Sequence, residues 1–84
     1  MLNIHYFASV REALKRDRQE LAIPDSVSTV AELIEHLSAK DPAFKTLQQS
    51  SNGLLVAVNQ TVVDNSYKLS EGDEVAFFPP MTGG

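Results

Sequence analysis

The chain of 84 residues has no cysteine. A disulfide framework, a thiolate-bound zinc and a thiol nucleophile are therefore excluded. It is also short of long apolar runs: no stretch approaches the ~20 residues of a membrane span. The start, Met1-Leu2-Asn3-Ile4-His5, lacks the basic and apolar regions of a signal peptide. The expectation is a soluble cytoplasmic domain with no membrane partner. Basic charge is scarce as well, with seven Lys and Arg against eleven Asp and Glu, a net charge of −4. Non-specific nucleic-acid binding needs a basic footprint, so no nucleic-acid partner is expected. Arg11, Lys15, Arg16 and Arg18 cluster, but Glu12, Asp17 and Glu20 interleave with them, which reads as a solvated helix face.

Motifs for self-contained chemistry are missing too. There is no GxxxxGK phosphate loop and no GxGxxG turn. His5 and His36 lie far apart without metal-ligand spacing, so both read as surface residues and no metal site is expected. Ser9, Ser28, Thr29 and Ser70 are accounted for by caps and turns, and no histidine neighbours them in sequence to make a nucleophile–base pair. Asp64, Glu71, Asp73 and Glu74 form an acidic stretch without calcium-loop spacing, which reads as a solvated turn. The chain is not expected to be an enzyme on its own.

What is present is enough apolar sequence, 43%, for one modest core. A domain of this size buries roughly 60–65% of its unfolded surface. Leu2, Ile4 and Tyr6 alternate with Asn3, His5 and Phe7, as in a strand. Ser9-x-x-Glu12 has the spacing of a capping box and predicts a short helix starting near Ser9. Residues 19–23 alternate again, and Pro24-Asp25 closes that strand. Thr29-x-x-Glu32 is a second capping box. It precedes Val30, Leu33, Ile34 and Leu37, which share one helical face. Asp41-Pro42 suits the N-cap and first position of a further short helix, with Phe44 and Leu47 turned inward.

Residues 54–58 are an apolar β-rich run, and Asn59-Gln60 separates them from Thr61-Val62-Val63 as a tight hairpin would. Gly72 supplies the positive φ of a turn before a last strand over 75–78. The order is β, short α, β, long α, short α, β, β, β. It predicts an α+β domain of about five strands with one main helix and short extra helices. The first and last strands are candidates for a parallel pair.

The chain's end stands apart from this pattern. After Val75-Ala76-Phe77-Phe78 come Pro79-Pro80-Met81-Thr82-Gly83-Gly84. Two prolines stop a sheet ladder, since neither offers an N–H. Two glycines then leave a carboxylate on a slim backbone able to enter a narrow site. The expected division is a domain over 1–78 and a flexible Gly-Gly tail over 79–84. Chemistry is expected at Gly84, next to Gly83. A carboxylate is a poor electrophile and needs activation, for instance as an acyl-adenylate. With no nucleotide motif here, a partner would supply the ATP. The activated acyl group could accept sulfur or an amine.

The segments Tyr6-Phe7-Ala8 with Arg11-Glu12, Val58-Asn59-Gln60, Gly72-Asp73-Glu74-Val75-Ala76-Phe77-Phe78 and Pro79-Pro80-Met81-Thr82-Gly83-Gly84 together resemble the family of small, sulfur-carrying subunits of molybdopterin synthase. The resemblance spans essentially the whole chain. It implies a β-grasp, ubiquitin-like fold. It also implies that an E1-like adenylyltransferase adenylates Gly84 with ATP and magnesium, the chain itself binding no cofactor. A sulfur donor protein then converts Gly84 to a thiocarboxylate. The tail enters the large synthase subunit, in a heterotetramer, and sulfur passes to cyclic pyranopterin monophosphate. The chain would be the non-catalytic, sulfur-donating subunit of that complex. Partner-binding residues implied in the same way are Phe7, Arg11, Val62, Phe78, Pro79, Pro80, Met81 and Thr82.

Two matters stay open. Read from the residues alone, Phe7, Val62 and Phe78 suit an outer docking face or an ordinary core, because period-2 parity does not say which face is buried. The resemblance leaves the second open: a Gly-Gly end is similar to that of carriers for thiazole synthesis or another pathway and of ubiquitin-like protein modifiers, while the Phe77-Phe78-Pro79-Pro80 stretch and the length favour the molybdopterin carrier.

Overall fold

The computed structural model describes residues 1–49 and 54–79. Its elements run β1 (Leu2–Tyr6), α1 (Ala8–Leu14), β2 (Arg18–Leu21), α2 (Val30–Lys40), α3 (Pro42–Gln49), β3 (Leu55–Val58), β4 (Thr61–Val63) and β5 (Glu74–Phe78). This is the expected order. The strands form one sheet, β2-β1-β5-β3-β4, with β1 and β5 parallel at its centre and every other pairing antiparallel.

The register sorts each strand's side chains by parity. Ile4 lies opposite Val75 and Tyr6 opposite Phe77, while Val56 and Val58 face Phe77 and Val75 from the other side. All six are buried. Val30, Leu33, Ile34 and Leu37 of α2 and Phe44 of α3 close this face into the core. Phe77 sits at its middle, fully buried, stacked on Tyr6 at 6.0 Å and met edge-on by Phe44 at 5.2 Å. A ring buried in this way contributes about 2–3 kcal/mol of apolar transfer.

Local chemistry sets the ends. In α2 the Thr29 side chain accepts from the Glu32 N–H while the Glu32 carboxylate accepts from the Thr29 N–H, a complete capping box. Asp41 caps α3 by accepting from the Ala43 N–H at 3.0 Å, and Pro42 takes the first helical position. Asn59 and Gln60 turn the β3–β4 hairpin with φ of 50° and 70°, the twist that suits a right-handed pair of strands. Gly72 has φ +86° in the turn before β5, the region a side chain would strain.

Several expectations need correction. Helix α1 starts at Ala8 with Phe7 as N-cap and no side-chain cap bond, so Ser9-x-x-Glu12 is not a working capping box. The backbone supplies the stop instead: Ala8 adopts φ 53°, and the Phe7 carbonyl accepts from the N–H groups of Val10 and Arg11. Strand β2 spans Arg18–Leu21 rather than 19–23; Ile23 packs on the core from the following loop. The basic cluster is not one helix face, since of its four members only Arg11 lies in α1, Lys15 is its left-handed C-cap and Arg18 is on β2. His36 is not a free surface residue either. It is half-buried on α2, and its Nε2 is buried without a hydrogen-bond partner among the described residues.

Candidate functional site

The opposite face of the sheet carries the residues of the other parity, and no helix among the described residues covers it. Phe7 follows β1 and donates its N–H to the Phe77 carbonyl at 3.1 Å, extending the parallel pairing by one residue. Its own carbonyl is taken by the first N–H groups of α1. The ring is thus fixed at a point where the backbone is bonded on both sides. It lies flat against Phe78 at 4.8 Å and 7°. Phe7 is 41% exposed and Phe78 is half-buried.

Beside the two rings the face is lined with small and aliphatic residues. Leu55 is the register partner of Phe78, Ala57 that of Ala76, and Val62 on β4 that of Ala57. Val62 is 67% exposed. Phe7, Val62 and Phe78 therefore share one outer surface and are not core side chains, which decides the alternative that parity left open. Pro79 continues from Phe78 and is half-buried. Arg11 is exposed on α1, and none of the described contacts joins it to the rings. Pro80, Met81, Thr82, Gly83 and Gly84 lie outside the described residues.

Toward β2 the same face turns polar. His5 stacks toward Phe7 at 6.4 Å, and its Nε2 is 3.6 Å from the Glu74 carboxylate. Arg18 is the register partner of His5, and Glu20 that of Asn3. This polar half was not picked out from the sequence. The only signal for it was the parity His5 shares with Phe7, and pairing across β2, β1 and β5 is what assembles it.

The ionisable groups with displaced pKa values are all moved away from neutrality. Burial pushes the Tyr6 hydroxyl up to about 12, with Arg16 opposing and Asp41 adding to the rise; the hydroxyl donates to Gln19 Oε1 at 2.9 Å. Bonds from Ser28 and Thr29 hold the Glu32 carboxyl low, and bonds from Ser66 do the same for Asp64. None of the three is placed to move a proton at neutral pH. Among the described residues no group of three or more metal-binding side chains converges, and no helix is long and apolar enough to cross a membrane.

The arrangement is an exposed apolar surface with the Phe7–Phe78 pair at the end of β5. Comparison with known proteins gives it a family. The ThiS family model matches residues 4–84. The molybdopterin synthase sulfur carrier subunit of Escherichia coli K12 is 43% identical over 84 residues, covering 100% of both chains. SAMP1 from Haloferax volcanii shares the fold with a TM-score of 0.80 at 24% identity, covering 99% of this chain and 98% of that one. A chain in the protein–protein complex of subunits 1 and 2 of molybdopterin-converting factor from Helicobacter pylori matches with a TM-score of 0.64 at 19% identity, over 99% of this chain and 97% of that one. The fold is the ubiquitin-like β-grasp. The chain belongs to the ThiS family and is related over its whole length to molybdopterin synthase sulfur carrier subunits.

Proposed function

We propose that this chain is the sulfur carrier subunit of a molybdopterin synthase, working through the carboxylate of Gly84 as a tail over 79–84. Support comes chiefly from one observation: the exposed Phe7–Phe78 stack lies where β5 hands over to the Pro79-to-Gly84 segment, in a chain aligned end to end with carriers of that name. An E1-like partner holding ATP and magnesium would join the carboxylate to AMP and release pyrophosphate. A sulfur donor protein would then deliver sulfur at the sulfide level, whose attack on the acyl carbon displaces AMP and leaves a thiocarboxylate. On transfer the acyl carbon–sulfur bond breaks, sulfur passes to cyclic pyranopterin monophosphate, and water restores the carboxylate.

The body docks on the large synthase subunit through Phe7, Val62 and Phe78, with Arg11 and Pro79 to Thr82 as further contacts. Six extended residues reach roughly 20 Å, enough to carry the terminus from the docked sheet into a recessed site. Removing Gly84 is the test. The truncated chain should keep its melting temperature and lose sulfur transfer in the assembled synthase. Retained transfer would refute the proposal.

A further inference from the structure

The polar half of the outer face bears on how the apolar half is used, and the following rests on the docking just proposed. His5 and Glu74 stand 3.6 Å apart, and His5 is also the residue that stacks toward Phe7. The three rings of His5, Phe7 and Phe78 thus form one row across the face. A partner whose footprint extends from Phe78 and Phe7 along this row to His5 would also remove water from His5 and Glu74.

Desolvating a carboxylate is costly unless a positive charge accompanies it. The groups around Glu74 give it few candidates. Arg18 is the register partner of His5 on β2, so it stands two strands from β5, roughly 10 Å away at about 4.8 Å per strand. It opposes the charging of His5 more than it compensates Glu74. Glu20 lies across from Asn3 on the same face and favours a positive His5. Asp73, next to Glu74, has its oxygens engaged by Asn59 Nδ2 and the Ser70 N–H. Among the described residues the nearest counter-charge for Glu74 is therefore His5, and imidazole carries it only when protonated.

We propose that docking through this face takes up a proton at His5, so that the His5–Glu74 pair tightens assembly as pH falls toward 6 and loosens it as pH rises toward 8. The test is calorimetric titration of the full chain with its large synthase subunit at both pH values, in buffers of different ionisation enthalpy. The wild-type chain should bind ~3–10-fold tighter at pH 6 than at pH 8, with net proton uptake. His5→Gln and Glu74→Gln should each flatten that difference while still binding. Comparing variant with wild type cancels titrating groups on the partner. A His5→Gln chain that binds with the wild-type pH dependence overturns the proposal. Unchanged binding after Phe7→Ala with Phe78→Ala overturns the docking reading and this inference with it.

Discussion

Phe77 and Phe78 are adjacent on one strand and lead opposite lives. Phe77 is fully buried between Tyr6 and Phe44, whereas Phe78 lies against Phe7 on the face that none of the described helices covers. Composition does not separate them, and neither does propensity. One step of pleat does, because successive side chains on a strand point to opposite sides. The inner ring holds the domain together. The outer ring adds little to that and is available to something else. Large apolar groups kept at the surface in a contiguous set are a mark of an interaction site.

Substitutions can break this contrast. Phe77→Ala should have the largest effect, costing about 3–5 kcal/mol of stability by emptying the centre of the core, read by chemical denaturation. Phe78→Ala should invert the pattern: under about 1 kcal/mol in the same assay, but about 2 kcal/mol or more in binding to the large subunit, as for a central aromatic at an interface. A variant that unfolds as readily as Phe77→Ala would erase the distinction between the faces. Thr29→Ala should cost about 1 kcal/mol through the lost cap of α2, with binding unchanged because the helix is on the far side of the sheet.

A pH scan sharpens the inner side alone. The folded-state pKa of Tyr6 is raised to about 12 by burial, so the neutral phenol is favoured in the fold. Its contribution is complete below the unfolded value near 10 and is lost as pH climbs from about 10 to 12. Tyr6→Phe should lose part of that alkaline dependence in thermal melts, and it should leave docking unchanged near neutrality. Least in magnitude is the acid side. The lowered Glu32 carboxyl stabilises above its usual titration range, and that support fades as pH falls through its depressed folded value, detectable as a small loss that Glu32→Gln removes.

Much of this was legible in the chain itself. Element order follows from apolar periodicity and punctuation: the Thr29 box, the Asp41-Pro42 start, Asn59 in its turn and Gly72 each behave as their residue types demand. The failures share a cause. Ser9-x-x-Glu12 has the right letters, but the parallel bond from the Phe7 N–H to Phe77 fixes the N-cap at Phe7, two residues before Ser9, so tertiary pairing overrides a local signal. Which face is buried depends on where α2 and α3 land, and that is not written in the parity of any one strand. His5 beside Glu74 required the β1–β5 register, a long-range pairing for which a single sequence carries no local mark.

The reading rests on Gly84 being the group that reacts. Intact-mass measurement of the chain after incubation with its activating enzyme, ATP and a sulfur donor addresses this directly, with fragmentation to locate the change. An exchange of one oxygen for sulfur confined to Gly84 is the expected result. A chain that emerges unmodified, or one that carries sulfur on another residue, would contradict it.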